Sequence, residues 1–159
     1  MEQNLTFSDL GLSTEILQAL EKKGYGYPTK IQQEAIPPLM EWKDVIAKAP
    51  TGTGKTFAFG IPMIEHIDAE SQELQGLILA PTRELAIQIG DELRGLLAFY
   101  KNIRVAVVYG GAKIEGQIKQ LQNHPQIVVA TPGRLMDHYK RRTLTLDKVQ
   151  TVVLDEADR

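Results

Sequence analysis

The chain has 159 residues, which suits one compact α/β domain, and 43% of them are apolar, which permits a real core. Lys and Arg total 18 against 20 Asp and Glu, a net charge of −2, so any nucleic acid must be met by a local surface and not by the field of the whole chain. The absence of cysteine excludes disulfides, thiolate metal sites and cysteine nucleophiles; MEQNLTFSDL is no secretory signal and no apolar run is long enough to span a membrane, so a soluble, cytoplasmic protein is expected.

In chain order, Ser13 to Lys23 reads as an amphipathic helix. Ser13 is its N-cap, Ile16, Leu17 and Leu20 form one face, and Gly24 stands where a C-terminal cap belongs. A loop over Gly24–Pro28 leads to a second helix from near Thr29 to about Pro37–Pro38. Beyond it, short apolar runs alternate with helical stretches. The runs are Val45–Ala47, Leu77–Ala80, Val105–Val108, Ile127–Ala130 and Val152–Leu154; the helices lie near Lys55–Ser71, Arg83–Tyr100, Ile114–Asn123 and Arg134–Arg142. Unbroken apolar strands alternating with helices imply parallel strands buried on both faces. Pro62 should kink or shorten the helix that contains it.

Open parallel sheets bind ligands beyond the carboxyl ends of their strands. The residues that follow the five runs are APTGTGKT, PTREL, YGG, TPGR and DEAD, so all five junctions should share one edge of one sheet. Ala49–Thr56 fits a P-loop, with Ala49 where the common pattern has its first glycine. Small residues there let backbone N–H groups curl around phosphate oxygens; Lys55 adds a cation and Thr56 a hydroxyl for Mg²⁺. Asp155, after an apolar strand, sits as a Walker-B carboxylate does and would hold Mg²⁺, with Glu156 orienting and deprotonating the attacking water. An acidic helix N-terminus is the plainer reading of that pair, disfavoured by the P-loop upstream.

Several motifs have local explanations that need no ligand. Thr29 and Gln32 make a capping box, Thr131-Pro132 an N-cap with proline at the first helical position, and Thr82 another N-cap. A capped helix N-terminus is still an anion site, so Arg83 and Arg134 beside two of them are evenly balanced between surface charge and phosphate contact. Gly110-Gly111 is either a turn or a close approach to a nucleic-acid backbone. Lys140-Arg141-Arg142 reads as favourable charge at a helix C-terminus, Trp42 as a packing residue, and His66, His124 and His138 lack metal-ligand spacing.

Taken together, APTGTGKT, PTREL, GG, TPGR and DEAD, in this order, resemble the first motor domain of the DEAD-box RNA helicases. Gly24–Gln32, GYGYPTKIQ, is similar to that family's adenine-recognition Q motif, and Phe7, seventeen positions ahead of Gly24, matches its isolated aromatic. The resemblance covers essentially the whole chain. It implies a three-layer RecA-like P-loop domain with a mostly parallel sheet, divided here into a helical segment with the Q motif, 1–38, and a partial ATP-binding domain, 39–159. It implies ATP and Mg²⁺ as ligands, with Gln32, Tyr25 and the backbone of Tyr27 on the adenine. Thr51, Gly52, Thr53, Gly54, Lys55 and Thr56 would hold the phosphates, Thr56 and Asp155 the metal. Lys55, Asp155 and Glu156 would be catalytic, and Asp158 would couple the site to a Ser-Ala-Thr motif. Pro81, Thr82, Arg83, Gly110, Gly111, Thr131, Gly133 and Arg134 would lie along an RNA backbone.

The resemblance also implies that a Ser-Ala-Thr strand and a second RecA-like domain belong beyond Arg159. The P-loop and DEAD strands would then flank an open slot, and the fragment alone would be poorly folded, aggregation-prone or closed by a non-native pairing, and inactive. Two other readings stand beside RNA helicase: a superfamily-two DNA helicase and a non-catalytic module that binds ATP or RNA.

Overall fold

A computed structural model of the chain describes residues 5–45 and 54–155. Ile46 and Ala47 of the first apolar run, most of the P-loop, and Glu156 and Asp158 fall outside them, and with them the expected slot between the P-loop and DEAD strands. Two compact units are present, one of residues 5–66 and 92–101, the other of 67–91 and 102–155, within those limits.

In the first unit, a short 3-10 turn, Phe7–Leu10, precedes α1 (Thr14–Lys22). The Ser13 hydroxyl caps α1 by accepting from the Ile16 N–H at 3.2 Å. The helix ends in a Schellman motif: Gly24, at φ +83, donates to Glu21 and Tyr25 donates to Leu20. Of the expected apolar face, Ile16 and Leu20 are buried while Leu17 is half-buried.

Helix α2 (Lys30–Met40) starts at the expected cap but runs past Pro37 and Pro38. The two prolines cost it backbone donors, yet their carbonyls remain acceptors, and Pro38 receives the N–H of both Glu41 and Lys43. Trp42 follows at φ 66, its ring stacked on His66 at 3.6 Å between centroids, so it packs as expected. Helix α3 (Lys55–Glu65) contains Pro62 and stops six residues short of Ser71. There the N–H groups of Asp68, Glu70 and Glu73 go to side-chain oxygens of Gln75, Asp68 and Ser71 instead of to a helix ladder.

The second unit holds four parallel strands: β1 (Gly76–Leu79), β2 (Val105–Val108), β3 (Ile127–Ala130) and β4 (Thr151–Leu154), in the order β2-β3-β1-β4. Between them in sequence run α4 (Arg83–Leu96), whose residues from Glu92 on belong to the first unit, α5 (Ile114–Gln122) and α6 (Pro132–Arg141). Helix α4 ends four residues before the expected Tyr100, its last residues giving way to a turn closed by Tyr100 N–H to Leu97 O.

Strand alternation sends Leu77, Ala106, Val108, Val128 and Ala130 to one face, where they cluster with Leu121 of α5 and Leu135 of α6. Ile78, Val107, Ile127 and Val129 alternate with them and are buried too. Full burial of each Val, Leu or Ile is worth about 1.5–3 kcal/mol, which makes β3, buried at every position, the centre of the unit.

Strand β4 departs from the expectation of burial on both faces. Val152 is 55% and Leu154 70% exposed, so one face of β4, which pairs only with β1 among the described residues, is open. The register aligns Leu79 with Ala130 and Leu154, and Val108 with Ala130, so the four carboxyl ends lie level. The ladder extends one step further through Ala80 N–H to Ala130 O, Thr131 N–H to Val108 O and Asp155 N–H to Leu79 O.

Candidate functional site

In the first unit, Gln32 is 3% exposed and both ends of its amide are engaged. Its Oε1 accepts the Thr29 N–H at 2.9 Å and its Nε2 donates to the Gly54 carbonyl at 3.1 Å, while the Thr29 hydroxyl accepts the Gln32 N–H at 3.3 Å. The capping box read from the sequence is therefore formed, and the same side chain also holds the backbone that opens α3. Only the second lone pair of Oε1 and the second N–H of Nε2 are left for another partner.

Gly54 is the N-cap of α3 at φ +84, and a Cβ there would overlap the Gln32 amide. Among the described residues no side chain caps α3, so its first turn, with Lys55 and Thr56, retains the character of an anion site. Tyr25 and Tyr27 are exposed, and the Tyr25 ring meets Phe57 edge-on at 5.4 Å. Thr51, Gly52 and Thr53 lie outside the described residues.

In the second unit, three of the expected junctions touch one another. The Arg83 guanidinium lies over the Tyr109 ring at 5.4 Å from its centroid. Gly111 adopts φ +88, and a Cβ on it would stand 3.5 Å from Arg83 Nη1. The Gly110 N–H donates to the Thr131 hydroxyl at 3.3 Å. Thr82 caps α4, accepting the Leu85 N–H at 3.1 Å. Thr131 occupies the N-cap of α6 with Pro132 after it, yet its side chain makes no cap bond. That correction has a tertiary cause: the hydroxyl is turned toward the glycine loop. Pro81 and Gly133 are exposed on this edge, and Asp155, at the end of β4, is 6% exposed.

Arg134 points inward. Its side chain is 13% exposed, Nη1 donates to Ala112 O and to Gln117 Oε1, each at 3.1 Å, and Nε lies 3.4 Å from Asp137. Gln117 and His138, both buried, complete a polar network that sequence reasoning missed. The available signal was periodicity: Gln117 occupies the apolar stripe of α5 with Leu121, and His138 that of α6 with Leu135.

His138 Nε2 donates to Gln117 Oε1 at 3.1 Å, since an amide oxygen only accepts, and Nδ1 lies 2.8 Å from the Thr143 hydroxyl. Burial first, then the Arg134 and Arg141 charges, push the His138 pKa down against the pull of Asp137. A histidine whose pKa falls on folding stabilises the native state fully above its unfolded value of 6.5 and loses that contribution as pH falls below it. The melting temperature should therefore drop between pH 7.5 and 5, and His138→Gln should flatten that slope; an unchanged slope in the variant would remove His138 from the effect.

A family model described as DEAD/DEAH box helicase matches residues 29–159. The ATP-dependent RNA helicase CshA of Limosilactobacillus reuteri is 55% identical over 154 residues, covering 97% of this chain and 31% of the relative. That of Listeria monocytogenes is 54% identical over 152 residues, covering 96% and 29%. The crystal structure of a DEAD box protein from the hyperthermophile Methanococcus jannaschii superposes with a TM-score of 0.88 at 45% identity, over 95% of this chain and 41% of that one. The chain thus spans about a third of the length of the curated relatives it matches. Among the described residues no helix is long and apolar enough to cross a membrane.

Proposed function

The chain belongs to the DEAD/DEAH box helicase family, and on that premise we propose that it binds ATP and RNA. In the full-length protein, completed by a second RecA-like domain, it couples ATP hydrolysis to unwinding of RNA duplexes or remodelling of RNA–protein particles. The observation that carries this reading is the mutual contact of PTREL, YGG and TPGR at the carboxyl edge of the sheet, through Arg83 over Tyr109 and Gly110 on Thr131. Backbone N–H groups, glycines and an arginine suit sugar and phosphate and offer no base-reading pattern, so binding is tolerant of sequence.

On the nucleotide side, Tyr25 stacks on the adenine, Gln32 reads its edge and the backbone of Tyr27 completes the contacts. Residues 51–56 cradle the phosphates, with Lys55 meeting the β and γ groups. The left-handed Gly54, with no room for a Cβ, fits such a cradle. Thr56 and Asp155 supply hard oxygen donors that suit Mg²⁺, which when bound neutralises phosphate charge. Glu156 orients the attacking water and takes its proton, and Asp158 passes the state of the site onward. Functionally the chain divides into 1–38, with the adenine-reading residues, and 39–159, with the rest. A cytoplasmic location goes with an enzyme that acts on RNA at the expense of ATP.

The test is RNA-stimulated ATPase of the full-length protein, with Arg83→Ala beside it. RNA should stimulate turnover, and the variant should lose affinity about equally for unrelated RNA sequences. Equal stimulation by duplex DNA would favour a DNA helicase, binding without turnover a non-catalytic module, and a sharp preference for one short sequence would count against backbone recognition.

A further inference from the structure

We infer that Gln117 is the positioning residue of the RNA edge: one buried amide that sets the Tyr109–Ala112 loop and, through it, the arginines on either side. The inference rests on reading that edge as RNA-binding. Gln117 is 3% exposed and comes from α5, away from every motif recognised in the sequence. Its Nε2 donates to the Tyr109 carbonyl at 2.9 Å, holding the start of the loop. Its Oε1 accepts from Arg134 Nη1 at 3.1 Å, and the same Nη1 donates to Ala112 O at 3.1 Å, holding the loop's end. His138 Nε2, at 3.1 Å, is a second donor to Oε1.

The amide has only one workable orientation. Reversed, its NH₂ would face the Arg134 guanidinium and its oxygen the Tyr109 carbonyl. With both loop ends held, the Tyr109 ring stays under the Arg83 guanidinium, and Gly111 keeps its left-handed turn beside it. Arg83 is exposed and able to meet a phosphate, whereas Arg134 is turned inward to serve as a strut. The two arginines that look alike in the sequence thus have different tasks, and Gln117 links them.

Leucine at 117 fills similar space but leaves the Tyr109 carbonyl, the guanidinium and the imidazole without that partner. Glutamate keeps the acceptor for Arg134 and His138 but replaces the donor to Tyr109 with a carboxylate oxygen that faces the Tyr109 carbonyl. The measurement is fluorescence anisotropy of a labelled single-stranded oligouridine with the full-length protein, at saturating non-hydrolysable ATP analogue and several salt concentrations. Gln117→Leu should weaken binding about tenfold and flatten the log–log salt dependence by about 0.7 for each phosphate that the protein no longer neutralises. Gln117→Glu should show a smaller loss of affinity in the same direction, and it carries the test if the leucine variant does not fold. Leu121→Ala, on the same buried face, should lower the melting temperature without changing the salt slope. A folded Gln117 variant with wild-type affinity and slope overturns the inference, as does Leu121→Ala reproducing both changes. Wild-type protein with no affinity for the RNA would instead overturn the proposed function, and this inference with it.

Discussion

Glu156→Gln in the full-length protein should slow ATP hydrolysis by roughly 10²–10⁴ while ATP still binds, the range expected when a positioned base is lost. The amide keeps the size of the carboxylate and can still hydrogen-bond a water, but it cannot take the water's proton. Asp155, one residue earlier, is 6% exposed and bonded through its N–H to Leu79 O, so the carboxylate assigned to Mg²⁺ starts from a backbone fixed in the sheet. Lys55→Ala should go further and abolish hydrolysis, because the β and γ phosphates lose their side-chain cation at the first turn of α3. Equilibrium binding of a fluorescent ATP analogue separates the two: retained in Glu156→Gln, strongly weakened in Lys55→Ala. Turnover by Glu156→Gln at the wild-type rate would remove it from the chemistry.

Gln32→Ala should impair stability and nucleotide choice together. Loss of the capping box alone costs about 0.5–2 kcal/mol. The same truncation releases the Gly54 carbonyl, so the entrance to α3 loses a fixed point as well. ATP affinity should fall, and so should the preference for ATP over GTP, whose guanine offers two acceptors, O6 and N7, where adenine offers the N6 donor beside the N7 acceptor. Gly54→Ala approaches the same junction from the other side: its Cβ meets the Gln32 amide, and a φ of +84 strains any L-residue. It should weaken ATP binding at least as much as Gln32→Ala does. If Gln32→Ala lowers the melting temperature and leaves the ATP/GTP ratio unchanged, Gln32 is a cap and not an adenine reader.

Local features were legible in the chain itself. Ser13, Thr29 and Thr82 cap their helices because a hydroxyl reaches an N–H only three residues ahead, and no distant partner is needed. Strands β2 and β3 begin and end where their apolar runs do, since a four-residue run between turn residues leaves little choice. Helix ends were less legible. Proline penalises a helix without forbidding its last turn, so α2 passed Pro38, whereas α3 stopped where side-chain oxygens outcompeted the ladder.

The sequence by itself determined the class of fold, the family and the set of loops at the carboxyl edge, because those follow from periodicity, turn chemistry and motifs read along the chain. Only the tertiary structure decided the order of the described strands, the 70% exposure of Leu154, and which side chains the loops use to hold one another. Thr131 gives its hydroxyl to Gly110, twenty-one residues away, and Arg134 its guanidinium to Ala112, twenty-two away. Gln117 joins Tyr109, Arg134 and His138 from a helix that carries no motif. The physical reason is range: a cap or an apolar stripe acts within one turn, while the partner of a buried amide exists only after helices and strands have packed.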